Sequence, residues 1–190
     1  MRGTSPCDES CGPRRVVLIG PECTGKTWLA SDLAALYRAP WSPEYAREYV
    51  EGHRRPLTYA DVDPIGRGQQ AAEDGAVARA AREGAPLVLL DTDLVSTMVY
   101  SRHYYGECPA WIEAECRRRL GDLYLLHHVD VQWLPDGHQR EQPGRREELF
   151  ERFRGTILEG RRERQFRALD PLLVHLNLVG TLILYHVSGG

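Results

Sequence analysis

Residues 16–30 read "VVLIGPECTGKTWLA", and within them stands Lys26, the single lysine of a chain whose other cationic side chains are all arginine. Gly20, Pro21, Glu22, Cys23, Thr24, Gly25, Lys26 and Thr27 satisfy the pattern G-x-x-x-x-G-K-[ST]. In such a loop the glycines let backbone N–H groups curl around a β-phosphate, and the following helix adds its positive N-terminus. The lysine bridges β- and γ-phosphates, and the threonine hydroxyl is offered to Mg²⁺. An ammonium is a compact point charge that fits inside the loop, where a planar guanidinium is too wide. In a chain of this composition the pattern is expected by chance roughly 0.001 times. ATP and Mg²⁺ are therefore the expected ligands.

Such a loop also requires a metal-organising carboxylate at the end of a neighbouring strand. "PLVLLDTD" supplies Asp91 for that role, acting through water. Period-two alternation places Asp93 on the same side, facing the same cleft, although an aspartate there also suits a helix cap. A third carboxylate, Glu44 in "WSPEYAREYVEG", is placed just beyond the second strand, where it can take the proton of an attacking hydroxyl. Glu44 also suits an ordinary first-turn acid, and Arg47 lies one helical turn further on. Finally "WLPDGHQREQPGRREE" is a polar, turn-rich loop leading into accumulating arginines. Arginine closing over a transferring phosphoryl group is the expected lid device, and Arg140 is the first choice. The remaining arginines there are expected to be solvated helix surface paired with Glu147, Glu148 and Glu151.

The elements that must position these groups follow from apolar periodicity. Residues 14–20 read as a buried strand, 26–37 as a helix with Leu29, Leu33 and Leu36 on one face, and 38–41 as a short second strand. A helix is predicted from Pro43 to Gly52, and Thr58 caps another that reaches Gly84. The apolar run at 87–90 implies a strand buried on both faces, as in a parallel sheet. Helices over 94–105 and 109–120, a strand in "DLYLLHHVD", an arginine-rich helix over 145–168 and a final strand in "TLILYHV" complete the pattern. Strands alternating with helices predict a three-layer α/β fold with a mainly parallel sheet.

At 190 residues the chain makes one domain, read as a flexible leader over 1–13 followed by a P-loop domain over 14–190 with a lid near 135–165. A net charge of −3 argues against wholesale nucleic-acid binding. No secretory signal is visible, and the most apolar stretch, 171–187, is interrupted by His175, Asn177 and His186 and falls short of a membrane span. A cytoplasmic protein is expected. Five cysteines imply no disulfide framework: Cys7 and Cys11 lack a second ligand pair for zinc, and Cys108 and Cys116 read as reduced thiols.

Taken together, "GPECTGKT", "EYAREYVEG", the "GQQ" at Gly68–Gln70, "LLDTD" and "WLPDGHQR" resemble the NadR-type ribosylnicotinamide kinase domain, over residues 14–160. The resemblance implies a fold akin to nucleoside and thymidylate kinases, and transfer of the ATP γ-phosphate to the 5′-hydroxyl of nicotinamide riboside, giving nicotinamide mononucleotide for NAD synthesis. It implies Glu44 as base, with Asp93 competing for that role or for a ribose hydroxyl. Tyr45, Tyr49, Tyr104, Tyr105 and Trp111 become candidate neighbours of the nicotinamide ring, each also suited to core packing. Two departures stand out. Only a short leader precedes the P-loop, so adenylyl transfer is not expected, and the chain ends at "HVSGG" where family members continue into a further helix.

Two other classes use the same loop. A P-loop ATPase or nucleotide-dependent regulator would couple hydrolysis to movement, but the third strand ends in "DTD" rather than the Asp-Glu pair of AAA+ motors, and no LSGGQ-like signature appears. A polynucleotide 5′-kinase would use the arginines of 145–167 as a phosphate strip.

Overall fold

The computed structural model describes residues 12–131 and 143–162. Strand β1 (Arg14–Ile19) runs into the glycine loop and helix α1 (Lys26–Tyr37). Strand β2 (Trp41–Ser42), helix α2 (Tyr45–His53), a 3₁₀ turn (Tyr59–Asp61) and the long helix α3 (Val62–Glu83) follow. Then come β3 (Leu87–Asp91), α4 (Leu94–Tyr105), α5 (Ala110–Arg118) and β4 (Leu123–Leu126). After a 3₁₀ turn (Pro143–Arg145), α6 (Arg146–Arg162) ends the described part.

The four strands among the described residues form one parallel sheet in the order β2-β3-β1-β4. Alternation along β1 explains its uninterrupted apolar run. Leu18 packs with Leu33 and Leu89 beneath α1, while Val17 faces Ala76 and Ala80 of α3, and Ile19 joins α4, α5 and α6. Both sheet faces are covered, the three-layer arrangement expected of parallel strands. Because β1 lies between β3 and β4, its carboxyl end opens onto the crevice where such sheets bind ligands.

Local sequence sets the boundaries. Arg38 adopts the left-handed conformation (φ 51°) and caps α1. The second strand therefore cannot begin at 38, and it starts after Pro40, whose carbonyl accepts from Leu89 N at 3.0 Å. Glu44 is extended (φ −67°, ψ 112°), so α2 begins one residue later than its first acid, and the helix passes through Gly52 to close on left-handed Arg54. Thr58 and Asp61 form a reciprocal capping box at the start of the α3 segment, and Gly84 (φ 65°) ends it. The expected strand in "TLILYHV", the leader cysteines Cys7 and Cys11, and the loop bearing Arg140 lie outside the described residues.

Candidate active site

The loop from Gly20 to Thr27 is shaped by residues that tolerate positive φ and by its own carbonyls. Gly20 (φ 138°) approaches β4 so closely that a Cβ there would lie 2.8 Å from the His127 carbonyl. Gly25 (φ 81°) is the N-cap of α1. The Thr24 hydroxyl donates to Pro21 O at 2.9 Å, and Lys26 Nζ donates to the same carbonyl at 2.6 Å, so the ammonium sits inside the loop. His127 Nδ1 lies 3.0 Å from Thr24 O and braces the loop from the residue just past β4. These contacts leave the loop's amide groups at the open N-terminus of α1, the arrangement that binds phosphate.

Leu18 of β1 pairs in register with Asp91 of β3, and Thr92 N donates to Leu18 O at 3.0 Å. This pairing brings the carboxylate of Asp91 to Thr27, whose hydroxyl donates to Oδ2 at 2.6 Å. Asp91 is 1% exposed, and among the described residues its Oδ1 has no hydrogen-bond partner. Burial raises its pKa, the Thr27 hydrogen bond opposes that, Glu44 adds to it, and Lys26 and Arg47 oppose it. One site thus gathers Lys26, Thr27, Glu44, Arg47 and Asp91. No group of three His, Cys, Asp or Glu side chains able to hold a metal occurs among the described residues. The pair fits Mg²⁺ nevertheless, which is held in such sites by one or two protein oxygens together with phosphates and water. The unpartnered Asp91 oxygen beside a hydroxyl supplies that donor set.

Asp93 does not share this side. Thr92 takes φ 75°, which breaks the strand alternation after Asp91. The Asp93 carboxylate instead caps α4, accepting from Val95 N at 3.0 Å and Ser96 N at 3.4 Å, while its second oxygen accepts from Tyr124 at 2.6 Å. It is 3% exposed. Beneath it lies Glu73, which accepts from Arg15 at 3.0 Å and Arg119 at 3.4 Å. Burial and the nearby Asp93 charge push Glu73 up to about 7, against the pull of the two guanidinium groups. The expectation that Asp91 and Asp93 face one cleft is therefore corrected. One carboxylate opens to the phosphate side and the other is sealed on the α3 side of the sheet.

A cavity of about 270 Å³ opens beside this site between α2, α3 and α4. Glu44 and Thr92 stand in its wall on the phosphate side, and Tyr100, Tyr104 and Tyr105 of α4 supply aromatic faces. Tyr104 and Tyr105 were expected neighbours of a bound ring; Tyr100, stacked on Tyr104 with centroids 6.0 Å apart, was not. The other aromatic candidates are turned elsewhere. Tyr45 packs on Gly68, where any Cβ would overlap its ring; Tyr49 donates to Asp61; and Trp111 donates to Asp63 beneath the Arg67 guanidinium. The "GQQ" motif acquires a physical meaning here. Gln69 is 1% exposed, accepts from Tyr45 N at 3.1 Å and donates to Thr92 O at 3.3 Å. It holds the start of α2, hence Glu44, against the turn after Asp91. The sequence singled it out only as part of "GQQ", without a role.

On the lid side, Arg145, Arg152 and Arg154 pair with Glu148 and Glu151, the solvated surface anticipated for this helix. Arg146 behaves differently. It is 6% exposed and donates to Cys23 O of the phosphate loop at 3.2 Å and to Val131 O at 3.3 Å. Its Nε has no partner among the described residues, and no carboxylate among them pairs with it. A buried guanidinium facing only carbonyls is an anion-seeking group. The cluster "GRREE" marked the region without distinguishing this arginine from its solvated neighbours.

The family model of the AAA domain AAA_28 matches residues 15–167. The trifunctional NAD biosynthesis/regulator proteins NadR of Salmonella typhimurium and Escherichia coli are each 30% identical over 128 residues, which is 65% of this chain. The chain spans about 30% of the length of these relatives. Among solved structures, a NadR protein in complex with NR superposes with a TM-score of 0.66 at 29% identity, covering 83% of this chain and 46% of the other. A NadR protein in complex with NAD and AMP-PNP gives 0.60 at 27%, covering 83% and 44%. Thymidylate kinase from Ehrlichia chaffeensis, at 15% identity and a TM-score of 0.56, shares the fold over 90% of this chain and 99% of its own. A lysine-centred phosphate loop, its partner carboxylate on the adjacent parallel strand and these likenesses converge: the chain belongs to the AAA_28 family of P-loop NTPases and has the fold of P-loop kinases.

Proposed function

We propose that the chain transfers the γ-phosphoryl group of ATP to the 5′-hydroxyl of nicotinamide riboside. The observation carrying this reading is the continuity between the two halves of the site. Glu44 and Thr92 belong to the wall of the aromatic cavity, Thr92 directly follows Asp91 in the chain, and the Glu44 charge acts on Asp91. A nucleoside seated against Tyr100 and Tyr104 would direct its hydroxyl at the phosphate loop. The NadR structure that contains NR, at 29% identity, supports this acceptor.

In the reaction the acceptor oxygen forms a bond to the γ-phosphorus as the bond to the β–γ bridging oxygen breaks, and ADP leaves. Glu44 accepts the hydroxyl proton, and its extended backbone just before α2 directs the carboxylate toward the cavity. Lys26 balances charge on the phosphates, and Arg146 is a buried cation that donates to the loop carbonyl of Cys23. Thr27 and Asp91 would hold Mg²⁺, which neutralises phosphate charge when bound. Asp93, capped and sealed, acts as a positioning group for α4; Glu44 is the better base. Arg140 remains a lid candidate from the sequence.

The test is incubation with ATP, Mg²⁺ and a panel of nucleosides, followed by separation of products. Nicotinamide mononucleotide formed in stoichiometric balance with ADP supports the assignment. Phosphorylation of a different nucleoside moves the acceptor while keeping the kinase. ADP released without any phosphorylated product would place the chain among ATPases or regulators.

A further inference from the structure

The two halves of the site are joined by a contact that the transfer chemistry does not use. Tyr100 lies in the cavity wall, yet its hydroxyl donates to Glu22 Oε2 at 3.1 Å, and Glu22 is the third residue of the phosphate loop. The same ring stacks on Tyr104 inside the cavity and meets Phe153 of α6 edge-on, with centroids 5.6 Å apart. Phe153 is fully buried, and α6 carries Arg146, which grips the next loop residue through Cys23 O. Adjacent loop residues Glu22 and Cys23 are thus held from α4 and from α6, and Tyr100 packs against both helices' side chains.

From this geometry we infer that Tyr100 is a positioning residue that couples occupancy of the cavity to nucleotide binding by the loop. A ligand ring lying on Tyr100 and Tyr104 restricts the Tyr100 side chain. A restricted side chain holds its hydroxyl on Glu22, and a held Glu22 fixes the loop whose amides receive phosphate. Each ligand then removes part of the ordering cost of the other, so both bind more tightly together than alone. The coupling is reciprocal by thermodynamic linkage, and one charge-assisted hydrogen bond supports an enhancement of about fivefold. The inference rests on the acceptor reading for the identity of the cavity ligand, but the Tyr100–Glu22 link itself is a property of the loop.

Titration calorimetry on the full chain tests both parts, using wild type, Tyr100→Phe, Glu22→Ala and the double variant. The first arm measures affinity for AMP-PNP alone. The two substitutions are expected to be non-additive, the double variant resembling either single one, whereas additivity would overturn the link whatever the cavity binds. The second arm measures AMP-PNP affinity with and without saturating nicotinamide riboside. The wild type should bind about fivefold tighter with riboside present, and the ratio should fall to about one in Tyr100→Phe, which keeps the ring and removes only the hydroxyl. A ratio retained in Tyr100→Phe, or absent from a wild type that does bind riboside, overturns the coupling. If riboside does not bind at all, the acceptor reading fails, and the first arm still decides the link. A merely structural role for Tyr100 would change both affinities without changing their ratio.

Discussion

The phosphate loop and the cavity between α2, α3 and α4 adjoin at Glu44 and Thr92, yet they are built in opposite ways. Eight consecutive residues make the loop, and one strand pairing, Leu18 with Asp91, completes it. The cavity draws its wall from residues 44 to 105, across α2, the segment before the 3₁₀ turn, α3 and α4. Its shape depends on side-chain contacts between those elements: Gln69 on Tyr45 and Thr92, Tyr49 and Arg55 on Asp61, Tyr45 on Gly68. A site built locally loses chemistry when a residue changes. A site built by packing loses position, which appears in substrate affinity before it appears in turnover.

The largest test of this contrast is at Lys26. Lys26→Ala should leave the melting temperature nearly unchanged and lower turnover about 10³-fold or more, because the charge acts on the transferring group. Lys26→Arg should recover little, since a wide planar fork does not reproduce a compact ammonium held 2.6 Å from Pro21 O. Near-normal turnover by either variant would sink the phosphate assignment.

Next in size is Glu44→Gln, which keeps the side chain's volume and removes the proton acceptor. Single-turnover transfer should slow by ~10² to 10⁴-fold while ATP affinity stays close to that of the wild type. A comparable loss in Asp93→Asn without loss of α4 helicity would return the base to Asp93. Smaller again is Asp91→Asn, expected to raise the Mg²⁺ concentration for half-maximal rate by about tenfold. An unaltered metal titration moves the metal role away from Asp91.

Gln69→Met probes the packing side. It leaves the half-buried Tyr45 N without its acceptor, and the stability cost should be about 1–2 kcal/mol. The acceptor KM should rise more than kcat falls; the reverse would mean that Gln69 touches the reaction itself. The smallest effect concerns Glu73. Its folded pKa is raised from 4.5 to about 7, so the stability it contributes is complete below pH 4.5 and is lost as pH rises through about 7. Glu73→Gln should flatten the fall in melting temperature over that window, whatever its constant offset. An unchanged slope would show that Arg15 and Arg119 keep Glu73 ionised throughout.

These differences also explain what the amino-acid sequence disclosed. The loop, α1, α4 and the carboxylate Asp91 were legible, because a local pattern and a buried strand determine them. The fold class was legible for the same reason, through the double-sided apolar run of β1 and β3. The side on which Asp93 lies was not, because one positive φ at Thr92 cancels the alternation that the residue spacing implies. Tyr100 and Arg146 were also hidden, and Gln69 was singled out only within "GQQ", without its role. Each has an ordinary type at an ordinary helical position and acquires meaning from residues distant in the chain, as Gln69–Tyr45, Tyr100–Glu22 and Arg146–Cys23 show.

The strand order has a consequence for how the chain comes together during synthesis. Among the described residues β2 pairs only with β3, β1 pairs with β3 and β4, and no ladder joins β1 directly to β2. Among the described residues, then, the first 86 positions contain two strands and no strand pairing. A nascent chain that has not yet extruded Leu87–Asp91 carries a glycine loop and a helix without a sheet to set them on. Once β3 arrives, β1 and β2 dock on its two edges, and Asp91 reaches Thr27 in the same event. Protection of the β1 and β2 amides from hydrogen exchange should therefore appear together and not in sequence order. Nucleotide capture by a stalled ribosome–nascent-chain complex should switch on only after residue 91 has cleared the exit tunnel.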